Sequence, residues 1–130
     1  MAKKILIMDD DPTIAELLTE SLADEGYETY MVTQSLRFYD AVREHMPDLV
    51  LLDIMMPYLD GHDQLKLMGM LKEIGGIEHP IPVIIVTAMN AANVAKDEQE
   101  FREAGVMHIV YKPFDLEKLS ALVRDTIGEP

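Results

Sequence analysis

The sequence predicts an α/β fold in which strands and helices alternate and the strands run parallel. Two observations carry this. Apolar runs of four to five residues alternate with stretches of helical periodicity. Polar residues also stand just past the ends of four of these runs. Ile5-Leu6-Ile7-Met8 leads into Asp9-Asp10-Asp11, Leu49-Val50-Leu51-Leu52 into Asp53, Val83-Ile84-Ile85-Val86 into Thr87, and Ile109-Val110-Tyr111 into Lys112. Parallel strands bring their carboxyl ends together along one edge, where ligand sites of open α/β sheets form.

Each element has a local reason. The first helix starts near Pro12, because proline suits a first turn, and Ile14, Leu17, Leu18 and Leu22 follow at helical spacing. Gly26 closes it. Glu28-Thr29-Tyr30-Met31-Val32 alternates polar and apolar residues and reads as a strand at the sheet edge. Ser35 caps a second helix carrying Phe38, Ala41, Val42 and His45, and Pro47 stops it. After Asp53 comes a loop with turn chemistry at Pro57 and Asp60-Gly61. A third helix places Leu67, Met70, Leu71 and Ile74 on one side and ends at Gly75-Gly76; Pro80 and Pro82 bracket the approach to the next strand. The fourth helix, Ala91 to Ala104, is the least hydrophobic, with Val94 and Phe101 as its main anchors and Gly105 closing it. The fifth runs from Asp115 to about Ile127, with a stripe of Leu116, Leu119, Leu122, Val123 and Ile127. The expected total is five strands and five helices.

At 130 residues the chain reads as one domain, residues 1–130, with no internal repeat, long linker or low-complexity segment. The absence of cysteine excludes a disulfide framework and a thiolate metal site, and fits a reducing, cytoplasmic setting. Three aspartates follow the short first apolar run, which argues against a signal peptide. No apolar run approaches the ~18 residues of a membrane span. The net charge of −13 repels nucleic acid and anionic membrane, so no direct nucleic-acid binding by this segment and no membrane partner are expected.

Three carboxylates, a hydroxyl and an ammonium on one edge suit a divalent cation with a phosphoryl group. Magnesium takes oxygen ligands, with one or two carboxylates on the protein side, and Asp9, Asp10 and Asp53 offer them. Asp53 is placed to act as a carboxylate nucleophile forming an acyl phosphate. Lys112 would pair with phosphoryl oxygens as a point charge, and Thr87 would donate its hydroxyl hydrogen to another. Each residue also has a plainer reading alone: a helix cap for Asp11, a strand end for Thr87, a solvated ammonium for Lys112.

The chain resembles the receiver domain of a two-component response regulator. Met8-Asp9-Asp10-Asp11-Pro12, Leu51-Leu52-Asp53-Ile54-Met55-Met56-Pro57, Asp60-Gly61, Val86-Thr87-Ala88 and Tyr111-Lys112-Pro113-Phe114 carry the likeness in family order. It implies a flavodoxin-like doubly wound sheet of order 2-1-3-4-5. It implies that Asp53 takes a phosphoryl group from a phosphohistidine on a sensor histidine kinase or phosphotransfer protein, the domain being regulatory rather than an enzyme. It implies Mg²⁺ on Asp10, Asp53 and the backbone carbonyl of Met55, with Asp9 assisting. A cis peptide at Lys112-Pro113 is similar to the family's usual one. The surface of helix 4, strand 5 and helix 5 would then meet a second copy or an effector domain.

Two departures stand out. The family often carries an aromatic residue three positions before the lysine; here it is Ile109, with Tyr111 on the same strand face. Met55 and Met89 take the positions that flank the path of the hydrolytic water, and neither orients water as an acid or amide does. Slow self-dephosphorylation is the expectation. Two other functions compete. Asp9-Asp10-Asp11-Pro12-Thr13 also fits the Asp-x-Asp-x-Thr start of haloacid-dehalogenase-type phosphatases, with Asp9 as nucleophile and Asp11 as general acid. An interaction module with the fold but without phosphorylation is the other. No Gly-rich phosphate loop of the usual spacing is present.

Overall fold

The structure is a computed structural model that describes residues 2–54, 66, 69–71, 73 and 80–130. Five strands, β1 (Lys4–Met8), β2 (Glu28–Val32), β3 (Leu49–Leu52), β4 (Val83–Thr87) and β5 (Val106–Tyr111), form one sheet in the order β2-β1-β3-β4-β5. All neighbouring pairs are parallel. The order is the expected one. It reverses between β1 and β3, so the carboxyl ends of these two strands flank a crevice.

The strands divide by burial as their sequences do. Ile5–Met8 of β1 and all of β3 and β4 are buried, as continuous apolar runs at the centre of a parallel sheet should be. β2 keeps an exposed residue at Glu28 and another at Met31, in line with an edge position. Alternate residues feed two cores. Leu6, Met8, Val50, Leu52, Val83 and Ile85 face one layer; Ile5, Ile7, Leu49, Leu51, Ile84 and Val86 face the other.

Helix α1 (Pro12–Asp24) opens as anticipated, with Pro12 in its first turn and the Asp11 carboxylate accepting the Thr13 N–H at 3.0 Å. Its Ala15, Leu18 and Leu22 pack in the second core. Helix α2 (Phe38–His45) departs from expectation at its start. A 3₁₀ turn (Ser35–Arg37) precedes it, and the cap position is Arg37, with no side-chain cap bond. The cap position thus falls two residues later than the expected Ser35, which begins the 3₁₀ turn. The tight turn delivers Phe38, fully buried, into the first core at the helix's first position. The helix ends at Met46, in left-handed conformation (φ 45°), just before Pro47.

The fourth expected helix is broken into α3 (Ala91–Ala95) and α4 (Glu98–Glu103). Val94 and Phe101, its two buried anchors, lie one on each piece. The polar pair Lys96-Asp97 between them buries nothing that would hold a continuous rod together, and helix stability comes chiefly from such packing. Helix α5 (Leu116–Ile127) starts where the sequence placed it, with Asp115 accepting the Glu117 N–H at 2.9 Å. Of the expected third helix, Met70 and Leu71 are helical and Leu71 is buried. Leu67, Ile74, Gly75-Gly76 and the Pro57 and Asp60-Gly61 turn lie outside the described residues.

Gly105 links α4 to β5 at φ +110°, and an added Cβ would stand 3.3 Å from the Ile81 carbonyl oxygen. Gly105→Ala should therefore cost about 1–3 kcal/mol, read as a lowered urea midpoint at unchanged slope.

The far end of the fold is tied by contacts between residues distant in sequence. Tyr27 donates its hydroxyl to the Gly128 carbonyl at 2.7 Å, and Lys3 donates its ammonium to the Ile127 carbonyl. Arg124 pairs with Glu25 at 2.7 Å, and Ser120 donates to the same Glu25 carboxylate.

Candidate functional site

Asp9 follows β1, Asp53 follows β3, Thr87 ends β4 and Lys112 follows β5. Parallel pairing fixes their levels, because Met8 pairs with Leu52 and Thr87 with Tyr111. The backbone continues the ladder beyond the strands. Asp53 N–H donates to the Met8 carbonyl at 2.9 Å, and Lys112 N–H donates to the Thr87 carbonyl at 2.8 Å. The four side chains are thus delivered to one edge by rigid elements.

Asp9 and Asp53 are 2% and 4% exposed, an unusual burial for carboxylates unless they are paired. The Lys112 ammonium pairs both. It donates to Asp9 Oδ2 at 2.7 Å and to Asp53 Oδ2 at 3.0 Å. Asp9 Oδ1 accepts the Asp11 N–H at 3.0 Å. Asp10 is exposed, and one carboxylate oxygen from each of Asp9, Asp10 and Asp53 lies within 4.8 Å of the others. Thr87 is fully buried, and its Oγ accepts the Met89 N–H at 3.1 Å, which leaves the hydroxyl hydrogen available to donate. The Lys112-Pro113 peptide is cis, as the resemblance implied.

Burial acts most strongly on the Lys112 ammonium and by itself lowers its pKa. The hydrogen bonds and charges of Asp9 and Asp53 together outweigh it, and the pKa is raised above the ordinary lysine value. A raised pKa means stability that is fully present below the unfolded lysine pKa and lost as pH rises through the folded one. Lys112→Met should abolish this alkaline loss relative to the wild type, as denaturant titrations at several alkaline pH values would show.

The donor set fits a hard divalent cation. Three carboxylates with converging oxygens supply the oxygen ligands that Mg²⁺ prefers, and the exposure of Asp10 leaves room for its waters. The structure brings Asp9, Asp10, Asp53 and the Lys112 ammonium together and sets Thr87 at the same sheet edge; the Met55 carbonyl lies outside the described residues. Asp11 stands apart as the cap of α1. Sequence reasoning missed the direct Lys112–Asp9 pair, since Asp9 was expected only to assist a metal. It also missed the Thr87–Met89 turn; a hydroxyl two residues before a loop N–H was the available signal.

The comparisons with known proteins agree. The family described as "Response regulator receiver domain" matches residues 5–124, and the chain belongs to this family. It is 38% identical to sporulation initiation phosphotransferase F of Bacillus subtilis over 95% of this chain and 93% of that protein. It is 36% identical to the DNA-binding response regulator MtrA of Mycolicibacterium smegmatis, of which it spans only 50%. Among solved structures, a CheY-like receiver domain protein from Methanospirillum hungatei superposes with a TM-score of 0.82 at 22% identity, covering 98% of this chain and 94% of that one. The receiver domain of sensor histidine kinase PA1611 from Pseudomonas aeruginosa, solved with magnesium in its active-site cleft, gives 0.74 at 23% identity and covers 99% and 100%.

The chain is a receiver domain of two-component response regulators, a regulatory phosphoacceptor family that binds Mg²⁺ at its acidic pocket and works with histidine kinases or phosphotransfer proteins. The phosphatase reading falls with this. The comparisons match no such phosphatase over this chain, and its general acid, Asp11, is engaged as the cap of α1. Among the described residues no helix is long and apolar enough to cross a membrane.

Proposed function

We propose that residues 1–130 form a single receiver domain in which Asp53 accepts the phosphoryl group. The observation that carries this is the shared grip of Lys112 on Asp9 and Asp53, beside the exposed Asp10. A carboxylate already hydrogen-bonded to an ammonium, at a strand end that opens on the crevice, has its positive partner in place before substrate arrives. The Asp53 oxygen attacks phosphorus, a P–O bond forms as the P–N bond to the donor histidine breaks, and the imidazole leaves with a proton. Lys112 then pairs with phosphoryl oxygens, and the Thr87 hydroxyl donates to another. Bound Mg²⁺, held by Asp10, Asp53 and the Met55 carbonyl with Asp9 assisting, would neutralise charge on the transferred group.

The added charge of roughly −1.5 to −2 draws Lys112 and Thr87 inward and biases the surface of α3, α4, β5 and α5, which lies between them and just beyond Lys112 in the chain. The broken helix supports this choice, because a segment held by only two buried anchors moves at low cost. A sensor histidine kinase or phosphotransfer protein is the donor, in the cytoplasm, and this surface meets a second copy or an effector domain. The segment itself does not bind nucleic acid, consistent with its charge of −13.

The test is incubation with a small acyl-phosphate donor, with and without Mg²⁺, followed by mass-spectrometric mapping. Label on Asp53 that requires Mg²⁺ is the expected result. Label on Asp9 or Asp10, or no label, overturns the assignment.

The phosphoryl group should leave slowly. Met89 is half-buried against the first core, and its thioether offers no group to orient an attacking water. Met89→Glu should speed loss of label about tenfold, short of what a full general base supplies; an unchanged rate would count against this role.

A further inference from the structure

Lys112 is shared unequally between two carboxylates, and phosphoryl transfer accounts for only one of them. Its ammonium stands 2.7 Å from Asp9 Oδ2 and 3.0 Å from Asp53 Oδ2. Asp9 is committed on both sides, because its Oδ1 accepts the Asp11 N–H at 3.0 Å while its Oδ2 accepts from Lys112. Its backbone is pinned as well, the Asp9 N–H donating to the Val32 carbonyl at 3.2 Å. Asp10 differs on each count. It is exposed, and its carboxylate makes no hydrogen bond to a described residue.

An ammonium and a divalent cation on one carboxylate are like charges in a small space, so each lowers the affinity of the other by the same factor. In the metal-free chain Lys112 therefore fills a cation's place on Asp53. For Asp53 to turn to a dication, the ammonium must leave it, and a part-buried ammonium needs a counter-charge wherever it goes. Asp9 supplies one without any search. It is 2% exposed, it is already the nearer partner, and the Asp11 N–H fixes its orientation. Lys112 can thus release Asp53 while keeping its bond to Asp9. Magnesium is usually held by one or two carboxylates, which Asp10 and Asp53 already provide.

We propose that Asp9 is a positioning residue rather than a metal ligand. It acts on the divalent cation through Lys112, as the counter-charge that keeps the ammonium off Asp53 while Asp10 and Asp53 supply the carboxylate oxygens. This rests on the Mg²⁺-assisted reading of the crevice and gives the assistance of Asp9 a physical form.

The test is calorimetric titration of the whole chain with Mg²⁺ in the wild type, Lys112→Met, Asp9→Asn and the double variant, with a melting temperature beside each. Lys112→Met should bind Mg²⁺ about tenfold more tightly, since an internal competitor is gone. Asp9→Asn should weaken binding, and by about tenfold more where Lys112 is present than in the Lys112→Met chain, because only there is an ammonium sent back to Asp53. A ligand lost from the metal would cost as much or more without the lysine. The wild type gives a second readout that needs no variant: the NMR coupling through the hydrogen bond from Lys112 Nζ to a carboxylate carbon. At saturating Mg²⁺ the coupling to Asp9 should remain and the coupling to Asp53 should vanish. An Asp9→Asn penalty equal or larger in the Lys112→Met chain, or loss of the Asp9 coupling on Mg²⁺ binding, overturns the proposal alone. No saturable Mg²⁺ binding by the wild type overturns the metal reading and this proposal with it.

Discussion

Lys112→Met is expected to lower the unfolding free energy of the metal-free chain by about 2–4 kcal/mol. The reason is the asymmetry of buried ion pairs: a good pair adds little, but removing one partner leaves the other charge buried without compensation, at a cost of about 3–5 kcal/mol. Here one ammonium serves two carboxylates that are 2% and 4% exposed. The lysine side chain keeps 16% of its own exposure, which places the expected loss toward the lower part of that range. Methionine retains the apolar stem, so the change reports on charge rather than on packing. Urea unfolding of both proteins in chelator measures it. Excess Mg²⁺ should narrow the gap, because a dication returns positive charge to the same carboxylates and binds only the folded chain. Equal stability of the two proteins in chelator would mean that Lys112 does not hold the pair together in solution.

Asp53→Asn should abolish phosphoryl uptake entirely while leaving the fold intact to within about 1 kcal/mol. The amide is nearly isosteric, keeps an oxygen to accept from Lys112, and removes one of three crowded negative charges. What it removes outright is the anionic nucleophile, since a neutral amide oxygen does not form the acyl phosphate. Asp11→Asn is the matched control: it alters the same acidic run but only at the α1 cap, so uptake should persist. Label retained in Asp53→Asn, at any position, would relocate the acceptor. Measuring melting temperature beside uptake keeps loss of chemistry distinct from loss of structure.

The parts of this molecule that were legible in the chain are those written in short-range chemistry. Ile5–Met8, Leu49–Leu52 and Val83–Val86 announce buried parallel strands because nothing polar interrupts them, and Pro12, Asp11 and Asp115 announce helix starts because caps act over two or three residues. The site was legible for the same reason, since every member stands at the last residue of a strand or within two residues past it. What escaped depends on how distant segments settle against one another. Ser35 has the right chemistry for a cap, but the demand of Phe38 for the core puts a tighter turn there. The segment 91–104 has the composition of one helix, yet its two anchors do not hold Lys96-Asp97 in register. The double grip of Lys112 joins residues 103 and 59 positions apart, and the Tyr27 contact with Gly128 spans 101; no local pattern encodes such distances.

That remote fastening has a mechanical consequence. With Lys3 and Tyr27 holding the Ile127–Gly128 end, and Glu25 holding Ser120 and Arg124 one or two turns earlier, α5 is hinged like an oar in its rowlock. A pull arriving through Lys112 and Pro113 reaches the opposite tip, near Asp115, at the longest distance from the pivot. Displacements at the crevice therefore enter α5 at the tip that these ties do not reach, where Leu116 and Leu119 seat it on the second core.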